Sequence, residues 1–133
     1  MKRTAFTTDI AALLLRVCFG FTMLFGHGWG KFLKLIGDGP IKWADPIGLG
    51  PEISLGLATF AELFCAGALI IGLFTRLATI PLIITMGVAF FIVHIDDPFN
   101  KMESPLMYMT AYIAILLLGA GRFSVDHLIR GKK

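Results

Sequence analysis

The sequence predicts an all-α membrane protein, a four-transmembrane-helix up-down bundle, on three observations. Apolar residues make up 56 % of the 133 positions and charged residues only 16 %, whereas a soluble domain holds roughly 45–50 % apolar and roughly 25 % charged. The apolar residues gather into four runs close to the length of a membrane span. The lysines and arginines avoid those runs: seven of the twelve lie at the chain ends or in short turns. Mean hydropathy is +0.80. A chain this short has too little interior to hide such a surface, so lipid must act as its solvent.

The first span is expected at about 10–33, interrupted by Arg16. Lys2 and Arg3 ahead of it resemble a signal peptide, but Arg16 breaks the apolar stretch and no small-residue cleavage site follows. The second span, about 53–74, contains the single charge Glu62; the third, about 77–94, contains none before His94. The fourth, about 104–121, reaches the required length of about 20 residues only if Ser104 and Pro105 open the helix. Residues 37–52 are rich in Gly and Pro and cannot continue a helix. Thr75 and Arg76 form a very tight link, so the helices they join should run antiparallel, while 95–103 is a polar, acidic connection. Small residues at Gly20, Ala58, Ala61, Ala66, Gly67, Gly87 and Ala89 permit close helix approach.

Counting positive charges sets the orientation. Lys2, Arg3, Arg76, Arg122, Arg130, Lys132 and Lys133 would face the cytoplasm, against Lys31, Lys34, Lys42 and Lys101 outside. Both termini are therefore expected in the cytoplasm, with the protein in the inner (plasma) membrane. The net charge of +3 comes with no basic, aromatic-laced stripe, so nucleic acid is not an expected partner. Cys18 and Cys65 form no C-x-x-C pair and read as small packing residues.

Arg16 and Glu62 are the informative positions, because a charge in the middle of a span costs about 2.5–3.5 kcal/mol on insertion scales. The economical expectation is that they pair or face a wet interior. Arg16, Gly20, Met23, His27 and Lys31 share one helical stripe. An outward-opening polar cavity lined by Arg16, His27, Lys31, Glu62, His94 and Tyr108 follows. The same residues have plainer readings: an ion pair that fixes register, histidines as solvated caps, Tyr108 and Trp29 in an aromatic belt. The spacing of histidines and carboxylates matches no metal motif, so no metal is expected.

The stretches LLLRVCFGFTMLFGHGWGKF (13–32), LATFAELFCAGALIIGLFTRLA (57–78) and LLLGAGRFSVD (116–126) together resemble the DoxX family of small bacterial membrane proteins along most of the chain. Arg16, His27, Lys31, Glu62, Thr75, Arg76, Gly121, Arg122, Ser124 and Asp126 fall on its pattern. The resemblance implies a four-helix inner-membrane bundle. It also implies a setting among redox proteins, since relatives include a subunit of a thiosulfate:quinone oxidoreductase and proteins tied to thiol and oxidative-stress systems. A redox-linked subunit binding a quinone or small substrate is the leading expectation, with protein partners in such a complex. A non-catalytic docking or stabilising subunit is the alternative, and a small anion or proton transporter stands behind both. Locally, Gly119 and Gly121 should end the last span, with Ser124 capping a short amphipathic tail over 125–130.

Overall fold

The computed structural model describes residues 2–41 and 45–131; Lys42, Lys132 and Lys133, counted in the orientation above, lie outside them. The described residues are helical or irregular, with no strand among them. Helix α1 runs Lys2–Met23, passes through a π-helical turn at Leu24–Gly28 and continues as Trp29–Ile36. Helix α2 is Pro51–Ile71, α3 is Thr75–Val93, α4 is Phe99–Leu118 and α5 is Val125–Gly131. The first three contain stretches long and apolar enough to cross a membrane: Ala5–Ile36, Pro51–Ile71 and Thr75–Val93. α4 has 20 residues but opens on Asn100, Lys101 and Glu103.

Its start corrects the expectation at Ser104. The helix begins five residues earlier, behind Pro98, and Pro105 sits buried in its interior. The polar connection between α3 and α4 is correspondingly short.

Helix α1 packs on α2 and α4, and α3 packs on the same two. Neighbours are antiparallel. In α1 a Cβ on Gly20 would lie 3.0 Å from the Ala66 carbonyl oxygen, and one on Gly28 would overlap the Glu62 peptide. These two glycines let the backbones of α1 and α2 touch, and they fix the register: residue 20 opposite 66–70, residue 28 opposite 62. The α2–α3 turn needs left-handed backbone at Gly72 (φ 76°) and Phe74 (φ 47°). Gly72 N–H bonds the Ala68 carbonyl at 2.8 Å and so closes the end of α2.

Burial follows the logic of a lipid-embedded protein. Large apolar side chains such as Leu14, Phe21, Phe64, Leu77, Phe91 and Leu117 are exposed, while Arg16, Thr59, Glu62, Thr75 and Thr79 are buried. The core joins Met23, Ala61, Cys65, Ala66, Leu69, Leu82, Met86, Tyr112 and Ile115. Cys18, expected as a packing residue, is instead exposed; both cysteines are free thiols. Hydroxyls find partners within their own helices: Thr22, Thr59, Thr85 and Thr110 each donate to the carbonyl four residues back at 2.7–2.8 Å.

Candidate functional site

The two charged residues buried most deeply stand at different levels of the bundle. Arg16 is fully buried and donates from Nη1 to the Leu69 (3.1 Å) and Ile70 (3.4 Å) carbonyls, and from Nη2 to the Phe123 carbonyl. Leu69 and Ile70 belong to the last turn of α2, where carbonyls run short of helical donors; Leu69 shares only the Gly72 N–H, at 3.1 Å. A guanidinium there satisfies them and meets the negative end of the helix dipole. Arg16 therefore closes a helix end and does not pair with Glu62. The antiparallel register explains the correction. Glu62 lies opposite residue 28, twelve residues beyond Arg16, and at 1.5 Å per residue that is about 18 Å. No arginine side chain reaches so far.

The partner of Glu62 is Lys31. Its Nζ donates to Oε1 at 3.0 Å and stands 2.9 Å from Oε2. The Oε2 contact is coulombic rather than an aligned hydrogen bond, so a buried acceptor is left over on a residue only 2 % exposed. Lysine reaches this depth because its long stem lies along the apolar wall while its ammonium meets the charge.

The pair faces a cavity of about 610 Å³. His27, Lys31, Glu62, His94 and Tyr108 all line it; Arg16 does not. The remaining wall is largely apolar, with Met23, Leu57, Ile84, Met86, Val88 and Val93 among its residues. The His27 and Tyr108 rings meet edge-to-face at 5.5 Å, and Tyr108 meets Phe19 in the same way at 5.6 Å. Tyr108 thus lines the cavity. His94 Nδ1 lies 2.7 Å from Asp97 Oδ2. Among the described residues no three His, Cys, Asp or Glu side chains gather as a metal-ligand set.

Three local irregularities surround this cavity. π-helical turns occur at Leu24–Gly28, Phe60–Cys65 and Ala89–Val93. The first contains His27, the second contains Glu62, and the third delivers His94 at its end. Each turn inserts a residue into an α-helical ladder, which re-aims the side chains beyond it; such turns recur at functional sites. Periodicity in the sequence has no signal for them.

Two further features escaped sequence reasoning. Tyr112 is fully buried one turn below Tyr108, its hydroxyl donating to the Phe19 carbonyl at 3.1 Å. Asp45 accepts bonds from the Leu49 and Gly50 N–H groups and the Ser54 hydroxyl. It folds the loop so that Pro46 and Ile47 reach the cavity wall. Those bonds, the Ser54 hydroxyl foremost, hold its carboxyl below the ordinary value. The signal that could have found it is an Asp five residues before the Gly-Pro that opens the helix, in reach of the turn's N–H groups.

The opposite end is a lock. Asp126 accepts the N–H groups of Phe74 (2.8 Å) and Thr75 (2.9 Å), and its own N–H bonds the Gly72 carbonyl. Ser124 Oγ receives the His127 N–H at 3.2 Å, the cap expected for the tail. Asp9 Oδ1 receives the Arg122 N–H at 3.1 Å.

The sequence model of the DoxX family matches residues 11–95. A protein of Haemophilus influenzae described only as uncharacterized is 32 % identical over 90 residues. The match covers 64 % of this chain and 60 % of that relative's length. A second protein of the same organism, described in the same words, is 29 % identical over 125 residues, covering 89 % of this chain and 88 % of its own. No solved structure matches.

Proposed function

The chain belongs to the DoxX family, and from that premise we propose that it is a redox-linked membrane subunit whose cavity binds a quinone headgroup or a similarly built small molecule. The carrying observation is one ammonium–carboxylate pair, Lys31–Glu62, in an otherwise mainly apolar chamber of about 610 Å³. That volume lies inside the range of roughly 300–1,000 Å³ typical of small-molecule sites. A quinone presents carbonyl acceptors and its reduced form presents hydroxyl donors. Lys31 offers a donor to the first, and the leftover lone pairs of Glu62 Oε2 accept from the second. One pair thus suits both oxidation states, and the His27 and Tyr108 rings, set nearly perpendicular to each other, add aromatic surface to the wall.

In this reading α4 is the fourth span of an up-down bundle in the bacterial inner membrane, with both termini cytoplasmic. Titrating the purified protein with a short-chain ubiquinone analogue tests the binding site. Saturable binding that weakens at least about tenfold in Glu62→Gln and in Lys31→Met is expected, the loss of one charged hydrogen bond being worth about 1.5–3 kcal/mol. Binding that is absent, or indifferent to both changes, would favour the docking or stabilising role instead.

A further inference from the structure

We propose a second site, at the opposite end of the bundle, that seats the phosphate of an anionic phospholipid. It is a cavity of about 540 Å³ at the start of α3 and the end of α4, lined by Arg76, Arg122, Arg130 and His127 together with Asp9 and Asp126. The proposal does not depend on what the quinone-type cavity holds.

Both carboxylates there are already engaged. Asp126 takes the N–H groups of Phe74, the last residue of the α2–α3 turn, and of Thr75, the first of α3. Asp9 takes the Arg122 N–H and stands 3.7 Å from Arg122 Nε. Three guanidiniums against two committed carboxylates leave positive charge in excess. Arg76 is held in place: its Nε donates to the Leu116 carbonyl at 3.1 Å. Its guanidinium lies against Gly119, where φ is 81° and an added Cβ would stand 3.1 Å from Nη2. The fork is pre-positioned, which favours bidentate recognition of phosphate oxygens.

The surroundings select a lipid over a free phosphate. Phe74, Leu77 and Leu118 line the same cavity, and all three are exposed. Leu117 is 75 % exposed in the last turn of α4, and Leu128 and Ile129 are exposed on α5. A polar seat bordered by apolar side chains, at the level where spans end, matches a headgroup with its acyl chains descending along α3 and α4. Basic pockets between spans are known seats for such headgroups.

Native mass spectrometry after reconstitution in mixed phosphatidylglycerol and phosphatidylcholine vesicles reads the retained lipid directly. Wild type should retain phosphatidylglycerol over phosphatidylcholine, and Arg76→Gln with Arg130→Gln should lower that preference by about tenfold or more. Arg130→Gln alone, which leaves the Arg76 anchor to Leu116 intact, should give an intermediate loss and covers the case in which the double variant misfolds. Lys34→Gln removes a charge from the far end of α1 and should change nothing. Equal retention of both lipids, or equal loss in Lys34→Gln and Arg130→Gln, overturns the proposal. So does inorganic phosphate at millimolar concentration displacing the lipid completely, which would make free phosphate the ligand.

Discussion

Lys31 and Glu62 interact across the bundle, and the energetics of that pair differ sharply from those of a surface salt bridge. Removing one partner strands a buried charge, which costs about 3–5 kcal/mol, whereas replacing both by apolar groups of similar volume is often neutral. Lys31→Met should therefore lower the thermal stability of the detergent-solubilised protein by about 3 kcal/mol, and Lys31→Met with Glu62→Leu should recover most of it. Should the double variant be as damaged as the single one, the pair would be structural in a way charge alone does not explain. The sequence identified both residues as notable but expected Glu62 either to pair with Arg16 or to face a wet interior, and did not name Lys31 as its partner. Residue type was legible: an intramembrane charge requires a partner. Which partner was not, because helical phase assigns a face and says nothing about depth on the neighbouring helix. Gly20 and Gly28 set that depth, through backbone contact with α2.

Eight of the ten pattern residues fall into two groups. Arg16, Thr75, Arg122, Ser124 and Asp126 hold the terminal end together through helix-end bonds, while His27, Lys31 and Glu62 face the cavity. Asp126 is the keystone of the first group. Burial draws its carboxyl upward, but the N–H bonds from Thr75 and Phe74, with the nearby Arg130 charge, outweigh this and hold it below the ordinary value. A depressed folded value means stabilisation present above the unfolded carboxylate pKa and lost as pH falls through the folded one. Asp126→Asn should cost about 1 kcal/mol near neutral pH, the worth of a helix-start cap. It should also flatten the acid limb of an unfolding-versus-pH series. An unchanged acid limb would remove Asp126 from that role. The glycines that end α4 and the serine that caps α5 were readable in GAGRFSVD, since short-range chemistry determines them. The π-helical turns were not, because they depend on how facing helices pack.

At the scale of the molecule, exposed leucines and phenylalanines surround a core that includes Arg16 and Glu62, an inversion only a lipid solvent tolerates. That much was legible from composition, and the apolar runs located the three helices long and apolar enough to cross a membrane; the early start of α4 was hidden by its polar first turns. Reporter fusions after Asp97 and after the C-terminus should give external and cytoplasmic signals respectively, as the count of Lys and Arg predicts; matching signals at both points would mean that α4 does not cross the membrane. The central claim is that the chamber lined by the Lys31–Glu62 pair receives a quinone-like ring. Photolabelling the liposome-reconstituted protein with an azidoquinone, followed by peptide mapping, addresses it most directly. The account predicts saturable labelling of the segments bearing Met23–Lys31, Leu57–Glu62 and Tyr108, displaced by unlabelled quinone and abolished in Glu62→Gln. Labelling spread over the exposed faces of α1 and α3, undiminished by competitor, would contradict it.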